Sequence, residues 1–416
     1  MKFQWSPRVF SLAASSFVVL NQKDEKTIDE QKRRAKLIKK IVDRFLVTTG
    51  SPGATIAVSV NGRLEFAGGF GFADVENGTR CRPENVMRIA SISKPITAAI
   101  AGQLVERGKL NWDDSIYKVE LQKLLPDFPK KKFDGKEVNE ISIRQLLNHT
   151  AGIRHYRKTA EDTDVKIKDQ NYAEYGGGNK DLERLSRKPY KSIAEALQMF
   201  KDDDLAVQPG KFNYTTHGYT LLSACLEKAA GRSFDQMASD LFRRLEMRST
   251  YLDKNEPLIP NRVKFYRRNR FHMLVNMIEI DNSYKIAGGG MLSNVFDLVK
   301  FANAMLISFQ SDGNQNTLLK AETVDGMWLT KAVGPNYVLG WRRFLKEGTS
   351  REGMWFHTGA NIGASSILMI KAKETEGAEL PNGICVVILV NSQDGHNSIT
   401  RLALDIIDIF EDDDRS

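Results

Sequence analysis

Cysteine is scarce in this chain: 416 residues hold three, Cys81, Cys225 and Cys385, far apart and odd in number. That excludes a disulfide framework, and their spacing excludes a zinc pattern. Cys225 and Cys385 lie in apolar runs and read as small core residues. The six histidines show neither His-x-x-Glu-His nor His-x-His spacing, so no metal and no cofactor are expected. Charge of one sign is also modest. The excess of +8 comes from 60 cations against 52 anions, which is no nucleic-acid signature. No internal repeat is visible.

Long hydrophobic runs are missing too. The longest near the start, Val9 to Leu20, falls short of the about 20 residues a spanning helix needs. Residues 1–20 carry Lys2, Arg8 and four serines, and the first acid is Asp24. Residues 1–25 therefore read as a targeting segment outside the fold, an import presequence to the mitochondrion in preference to a secretory signal. Sequons at Asn77, Asn148 and Asn213 point the same way, because two of them fall inside the motifs below, where a glycan would not fit.

What is present has a clear order. Thr27 to Phe45 spaces Leu37, Ile38, Ile41, Val42, Phe45 and Leu46 along one helical stripe, stopped by Gly50-Ser-Pro-Gly53. Two strands, Ala54–Val60 and Arg63–Phe72, flank the hairpin signal Asn61-Gly62. Strands return at Trp355–Thr358, Ser365–Lys371 and Ile384–Asn391, and an amphipathic helix, Ser398 to Phe410, precedes an acidic tail. This predicts an α+β fold: an antiparallel sheet flanked by N- and C-terminal helices, with a mainly helical subdomain inserted. The sheet subdomain would comprise 26–110 and 300–416, the helical one 111–299. Residues 154–191 mix ten cations and seven anions without apolar period, reading as a charged loop at a functional rim or simply in solvent. Arg262 to Arg270 holds five cations and no acid. It reads as an exposed strand or loop, or as a surface for anionic membrane lipid or a partner.

The chemistry centres on Arg88-Ile-Ala-Ser91-Ile-Ser-Lys94-Pro. Ser91 at a helix entry and Lys94 three residues on would share one face, a plausible nucleophile and amine. The spacing alone is weak, since Ser115-Ile-Tyr-Lys118 repeats it in an ordinary charged turn. Two distant segments strengthen it. Pro209 to Leu222 places Tyr214 in a turn before an apolar helix from Tyr219 to Ala230, and His357-Thr358-Gly359-Ala360 lies in or beside a strand, with glycines that let a ligand approach the backbone.

Together with Leu146 to Ile153 and Ala287 to Asp297, these segments resemble the serine β-lactamase and penicillin-binding-protein superfamily, nearest its class C and D,D-peptidase branch. That family has Ser-x-x-Lys, Tyr-x-Asn and Lys/His-Thr-Gly in this order, and the resemblance spans about residues 50–410. Glu256 to Tyr266 and Val275 to Gly290 look like a mitochondrial, animal branch of it. The resemblance implies Ser91 as nucleophile, Lys94 as its amine partner and Tyr214 as a proton-shuttling phenol. It implies backbone N–H groups of Ser91 and Ala360 as the oxyanion hole, and Thr216, His357, Thr358 and Gly359 as substrate-binding residues. It further implies a serine hydrolase that acts through a Ser91 acyl-enzyme on a peptide amide or small acyl ester, and self-association, filaments included. The alternatives are a β-lactamase or D,D-peptidase, and a filament-forming scaffold with little catalysis. Thr216 stands where the family has Asn, and His357 where it commonly has a charged Lys. Both departures weigh against efficient β-lactam hydrolysis.

Serine reactivity needs a base, yet free Lys and Tyr are both protonated at pH 7. Burial would lower the Lys94 pKa and a nearby cation would lower that of Tyr214. Sequence leaves open which of the two takes the proton.

Overall fold

The computed structural model describes residues 25–118, 126–156, 182–311, 316–349, 351–375 and 380–411. The expected targeting segment, up to Asp24, lies outside them. Helix α1 (Glu25–Thr49) leads into strands β1 (Gly53–Val60) and β2 (Arg63–Asp74), then a short β3 (Thr79–Arg80). Asn61 and Gly62 take φ of +49° and +76°, the paired left-handed residues of the two-residue hairpin their sequence announces. Helices α2 (Ser93–Glu106), α3 (His217–Ala230) and α4 (Val295–Gln310) follow, then strands β4 (Arg342–Leu345), β5 (Gly353–Asn361), β6 (Ala364–Ala372) and β7 (Gly383–Val390), and helix α5 (Ile399–Glu411).

The seven strands form one antiparallel sheet in the order β4-β5-β6-β7-β1-β2-β3, so the two ends of the chain meet at its centre through the β1–β7 pair. Alternation sorts its side chains between two cores. Ile56, Val58, Ile367, Met369, Val386 and Ile388 face Ile38, Val42 and Phe45 of α1 and Leu402, Ile406 and Phe410 of α5. Ala57, Leu368, Ile370, Cys385, Val387 and Leu389 face the larger core that holds α2, α3 and α4. Strand β7 is buried along its whole length, which is why its sequence is an unbroken apolar run with no polar alternation. Cys225 and Cys385 are core residues, and Cys81 is buried with them.

Helix α2 lies at the middle of the larger core. It is apolar and small on all sides, and from Ser93 to Leu104 only Gln103 is not buried. Pro95 is tolerated in its first turn, where no helical partner is lost. The interval 111–299 is less helical than its sequence indicates. Among the described residues, its helices longer than five residues are α3 and Phe234–Arg244, and short turns and two- or three-residue strands fill much of the rest.

The basic run folds back as a small hairpin, Tyr266–Arg268 with Leu274–Asn276. Its cations serve the protein itself: Lys264 pairs with Asp74 and Glu76, Arg268 donates to the Gly50 carbonyl, and Arg262 reaches Asp253. The repeat motif at Ser115 is an ordinary turn, with Lys118 exposed and the Ser115 hydroxyl accepting from Tyr117 N–H.

Beneath the segment that leads to Ser91, Asp253 is 1% exposed and is shared by two arginines. Arg88 Nε donates to it at 2.8 Å and Arg262 Nη2 at 2.7 Å, and Asn282 donates as well. Removing one partner of such a buried pair leaves charge uncompensated. Asp253→Ala is therefore expected to cost about 3–5 kcal/mol, read as a drop in the midpoint of urea unfolding, with Asp253→Asn losing less.

Candidate active site

The short strand Met87–Arg88 ends in a single tight turn, Ala90–Ile92, before α2 begins. Ala90 takes φ of +49°, a left-handed conformation that costs a residue with a side chain about 1 kcal/mol or more. The turn leaves Ser91 partly exposed between buried neighbours, on the wall of a cavity of about 260 Å³. Ser91 thus lies just ahead of α2, and Lys94 is the second residue of that helix.

The three residues named from distant parts of the chain meet here. Lys94 Nζ lies 3.2 Å from Ser91 Oγ, and the Tyr214 hydroxyl donates to the same oxygen at 2.8 Å. Lys94 is fully buried, donates to the Gly288 carbonyl, and lies 4.8 Å and 5.4 Å above the Tyr214 and Tyr219 rings. Burial holds its pKa well below the usual lysine range, and the nearby Lys285 charge adds to this. Burial pushes the Tyr214 phenol upward, against the smaller opposing pull of its hydrogen bond to Ser91. The two directions differ: burial favours the neutral amine of Lys94 and the protonated phenol of Tyr214.

Tyr214 is held by a loop laced to residues 149–155. Asn213 N–H donates to the His149 carbonyl at 2.8 Å, Thr215 N–H to His149 Nδ1 at 3.2 Å, and Thr216 N–H to His155 Nδ1 at 3.2 Å. The His149 ring lies under Tyr214 at 4.3 Å between centroids. Burial keeps both imidazoles well below their usual range, as acceptors require. Thr216 is buried at the start of α3, and its methyl meets Gly288, where an added Cβ would come within 2.8 Å.

The ends of the charged loop are not simply solvated. Arg154 makes a two-pronged contact with buried Glu183, at 2.9 Å and 3.0 Å, and also reaches Asp203. Glu183 accepts from His217 at 2.9 Å. Burial raises the Glu183 carboxyl, but the hydrogen bonds from His217 and Arg154 outweigh it and hold the group at about 2. Residues 157–181 of that loop lie outside the described residues.

Strand β5 forms the opposite wall. Gly359 is required there: a Cβ would lie 2.5 Å from the Ile89 carbonyl and 3.0 Å from Ala90 Cβ, forcing the strand away from the Ser91 turn. Thr358 and Ala360 line the cavity with Ser91. His357 is buried beside them. Its Nδ1 bonds to the Thr358 carbonyl at 2.7 Å and its Nε2 to the Tyr337 hydroxyl at 2.9 Å, with the tautomer that makes Nδ1 the donor. Burial, above all, brings its pKa down to about 3, so it is neutral at every physiological pH. Arg342, Arg184 and Lys285 are the cations on the cavity wall.

His149, His155, Tyr156, Tyr337, Lys285 and Asn361 are the residues that sequence reasoning missed. Lys285 and His149 sit inside segments already singled out, but a lone Lys or His has no motif of its own. Among the described residues, no group of His, Cys, Asp or Glu is arranged to hold a metal, and no helix is long and apolar enough to cross a membrane.

An antiparallel sheet with helices on both faces, and a Ser-x-x-Lys turn closed by a tyrosine and a His-Thr-Gly strand, define a β-lactamase-type serine hydrolase. The chain belongs to the Beta-lactamase family, whose sequence model matches residues 36–408. It is similar to the serine beta-lactamase-like protein LACTB, mitochondrial, of Homo sapiens: 35% identical over 444 residues, covering 90% of this chain and 79% of that one. Among solved structures, a D-amino acid amidase from Ochrobactrum anthropi SV3 superposes with a TM-score of 0.69 at 19% identity, over 92% of this chain and 99% of that one. An octameric penicillin-binding protein homologue from Pyrococcus abyssi gives 0.65 at 23% identity, over 88% and 75%. Those two likenesses are of fold.

Proposed function

We propose that the chain hydrolyses a peptide amide or small acyl ester through an acyl-enzyme on Ser91. The observation that supports this most is the convergence of a buried amine and a buried phenol on one serine oxygen, 3.2 Å and 2.8 Å away. In this reading Lys94 takes the Ser91 proton as Oγ attacks the acyl carbon. The N–H groups of Ser91 and Ala360 hold the developing oxyanion, each worth about 3–4 kcal/mol in such a role. Tyr214 relays a proton to the departing nitrogen or oxygen and is reprotonated by the proton Lys94 took from Ser91. Water then attacks the acyl carbon, gives up its proton to the same pair, and Ser91 leaves reprotonated. Thr216, Thr358 and Gly359 line the substrate's path.

His357 supplies no charge where a β-lactam or C-terminal carboxylate would be gripped, and this favours an amidase, peptidase or esterase over an antibiotic-degrading enzyme. The LACTB relative is called mitochondrial by name, which together with the basic, acid-free start of the chain supports a mitochondrial location. Self-association is part of the proposal, since a fold neighbour is an octamer.

A fluorophosphonate probe should label the folded protein at a single peptide containing Ser91. Absence of labelling at any pH would replace the enzyme by a scaffold of the same fold. A parallel screen of peptide, ester and β-lactam substrates should place β-lactams last. Tyr214→Phe keeps the ring and loses the proton, and is expected to slow acylation by about 100-fold or more. Near-normal acylation by that variant would leave Lys94 as the only proton carrier.

A further inference from the structure

Lys285 has no part in the roles above, yet it is fully buried and its side chain lines the cavity beside Ser91 and Tyr214. It ends the short turn Ser283–Lys285, and the next helical turn, Ile286–Gly289, offers the Gly288 carbonyl to Lys94. One turn of backbone therefore places both amines. Among the described residues, the Lys285 ammonium has one hydrogen-bond acceptor, Asn361 Oδ1 at 3.2 Å. The Tyr156 and Tyr284 rings lie 5.5 Å and 5.1 Å from it.

The charges around the two amines are unequal. Facing Lys285 are Arg88 and Arg184, which oppose its proton, and Asp253 and Asp281, which favour it. Facing Lys94 are Lys285, the neutral imidazoles of His149, His155 and His357, and the Tyr214 and Tyr219 rings. No carboxylate hydrogen-bonds to Lys94 among the described residues. Two ammonium groups in one water-poor pocket do not both persist, and the one that faces acids keeps the proton. The position in β5 where the superfamily commonly carries a charged Lys is occupied here by neutral His357, so that strand cannot supply the repulsion.

We infer that Lys285 is a positioning residue of the reaction: its ammonium, braced by Asn361 at the end of β5, keeps the Lys94 amine unprotonated and thus able to accept the Ser91 proton. This rests on the serine-hydrolase reading. Asn361 is itself fixed by donation to the Gly289 carbonyl and by Ile362 N–H, so the brace is attached to the end of β5 next to Ala360. Burial, with the charges of Arg88 and Arg184, brings Lys285 itself down to about 7, so it carries its charge over the acid range where Lys94 would otherwise reprotonate.

The test is the rate of fluorophosphonate labelling at Ser91 against pH, for wild type, Lys285→Met, Lys285→Gln and Lys285→Arg, each checked for folding by thermal melting. Wild type should lose rate on an acid limb as Lys94 takes up a proton. Met and Gln should move that limb up by about one pH unit, the scale of a single screened charge. At a fixed pH on the limb they should label about tenfold slower than wild type. Arg, which keeps the charge, should leave the limb in place. A uniform loss with an unmoved limb, or the same movement in Arg as in Gln, overturns the inference and leaves the hydrolase reading standing. No labelling of folded wild type at any pH overturns both.

Discussion

Ser91→Ala is expected to lower hydrolysis by at least about ten-thousand-fold, while the protein folds as before. The neighbouring hydroxyls along the turn and α2 are engaged elsewhere. Ser93, two residues on, is buried and donates to the Ala90 carbonyl, and Thr97 donates to the Ala287 carbonyl one turn deeper in α2. Both are spent on holding the turn. The variant retains the two backbone amides and the neutral Lys94, so a small residual rate over water remains, of the kind an oxyanion hole alone supports. Folding is unaffected because Ser91 is only partly buried and its oxygen closes no structural bond beyond Lys94 and Tyr214. The measurement is turnover of an activated ester, with covalent labelling as the second readout. A residual rate within about tenfold of wild type would place the nucleophile elsewhere.

The parts of this molecule legible in the sequence are those where one local signal determines one outcome. Asn61-Gly62 dictated a hairpin turn, and the stripe from Ile38 to Phe45 dictated which side of α1 meets the sheet. Three ordered motifs located Ser91, Lys94, Tyr214 and His357. Their supports were not legible because they depend on contacts across large separations. His149 lies under Tyr214 only because residues 149–155 and 213–217 are hydrogen-bonded to one another. Glu183 follows a long charged stretch, and nothing in that stretch marks one acid as the partner of Arg154 and His217. The sequence pattern around 111–299 overstated helix, since short apolar segments capped by Ser142 and Ser192 end after five residues. The state of His357 was equally hidden. A histidine opposite Lys94 invites a reading as a pH switch, but the Tyr337 hydroxyl and the Thr358 carbonyl occupy both its nitrogens.

Lys94→Met is expected to trade activity for stability. Removing the amine should slow acylation by about a thousand-fold or more, near the upper range for a positioned base. The same change should raise stability by roughly 1 kcal/mol at neutral pH, in line with other substitutions that relieve a functional site. The folded Lys94 amine is held well below its ordinary pKa, first by burial and then by Lys285, whereas the unfolded chain protonates it below about 10.4. Between those limits the unfolded state binds one more proton, so this residue makes the protein less stable as pH falls. Methionine removes that dependence. The gain should therefore be present at pH 7 and shrink toward zero as pH rises past about 10.4. Its main offset is the Gly288 carbonyl, which loses the amine as its donor. Thermal melts of wild type and variant at pH 7 and near pH 10 give the comparison. A variant that melts below wild type at pH 7 would mean that Lys94 is charged in the folded protein, and a charged Lys94 could not take the proton from Ser91.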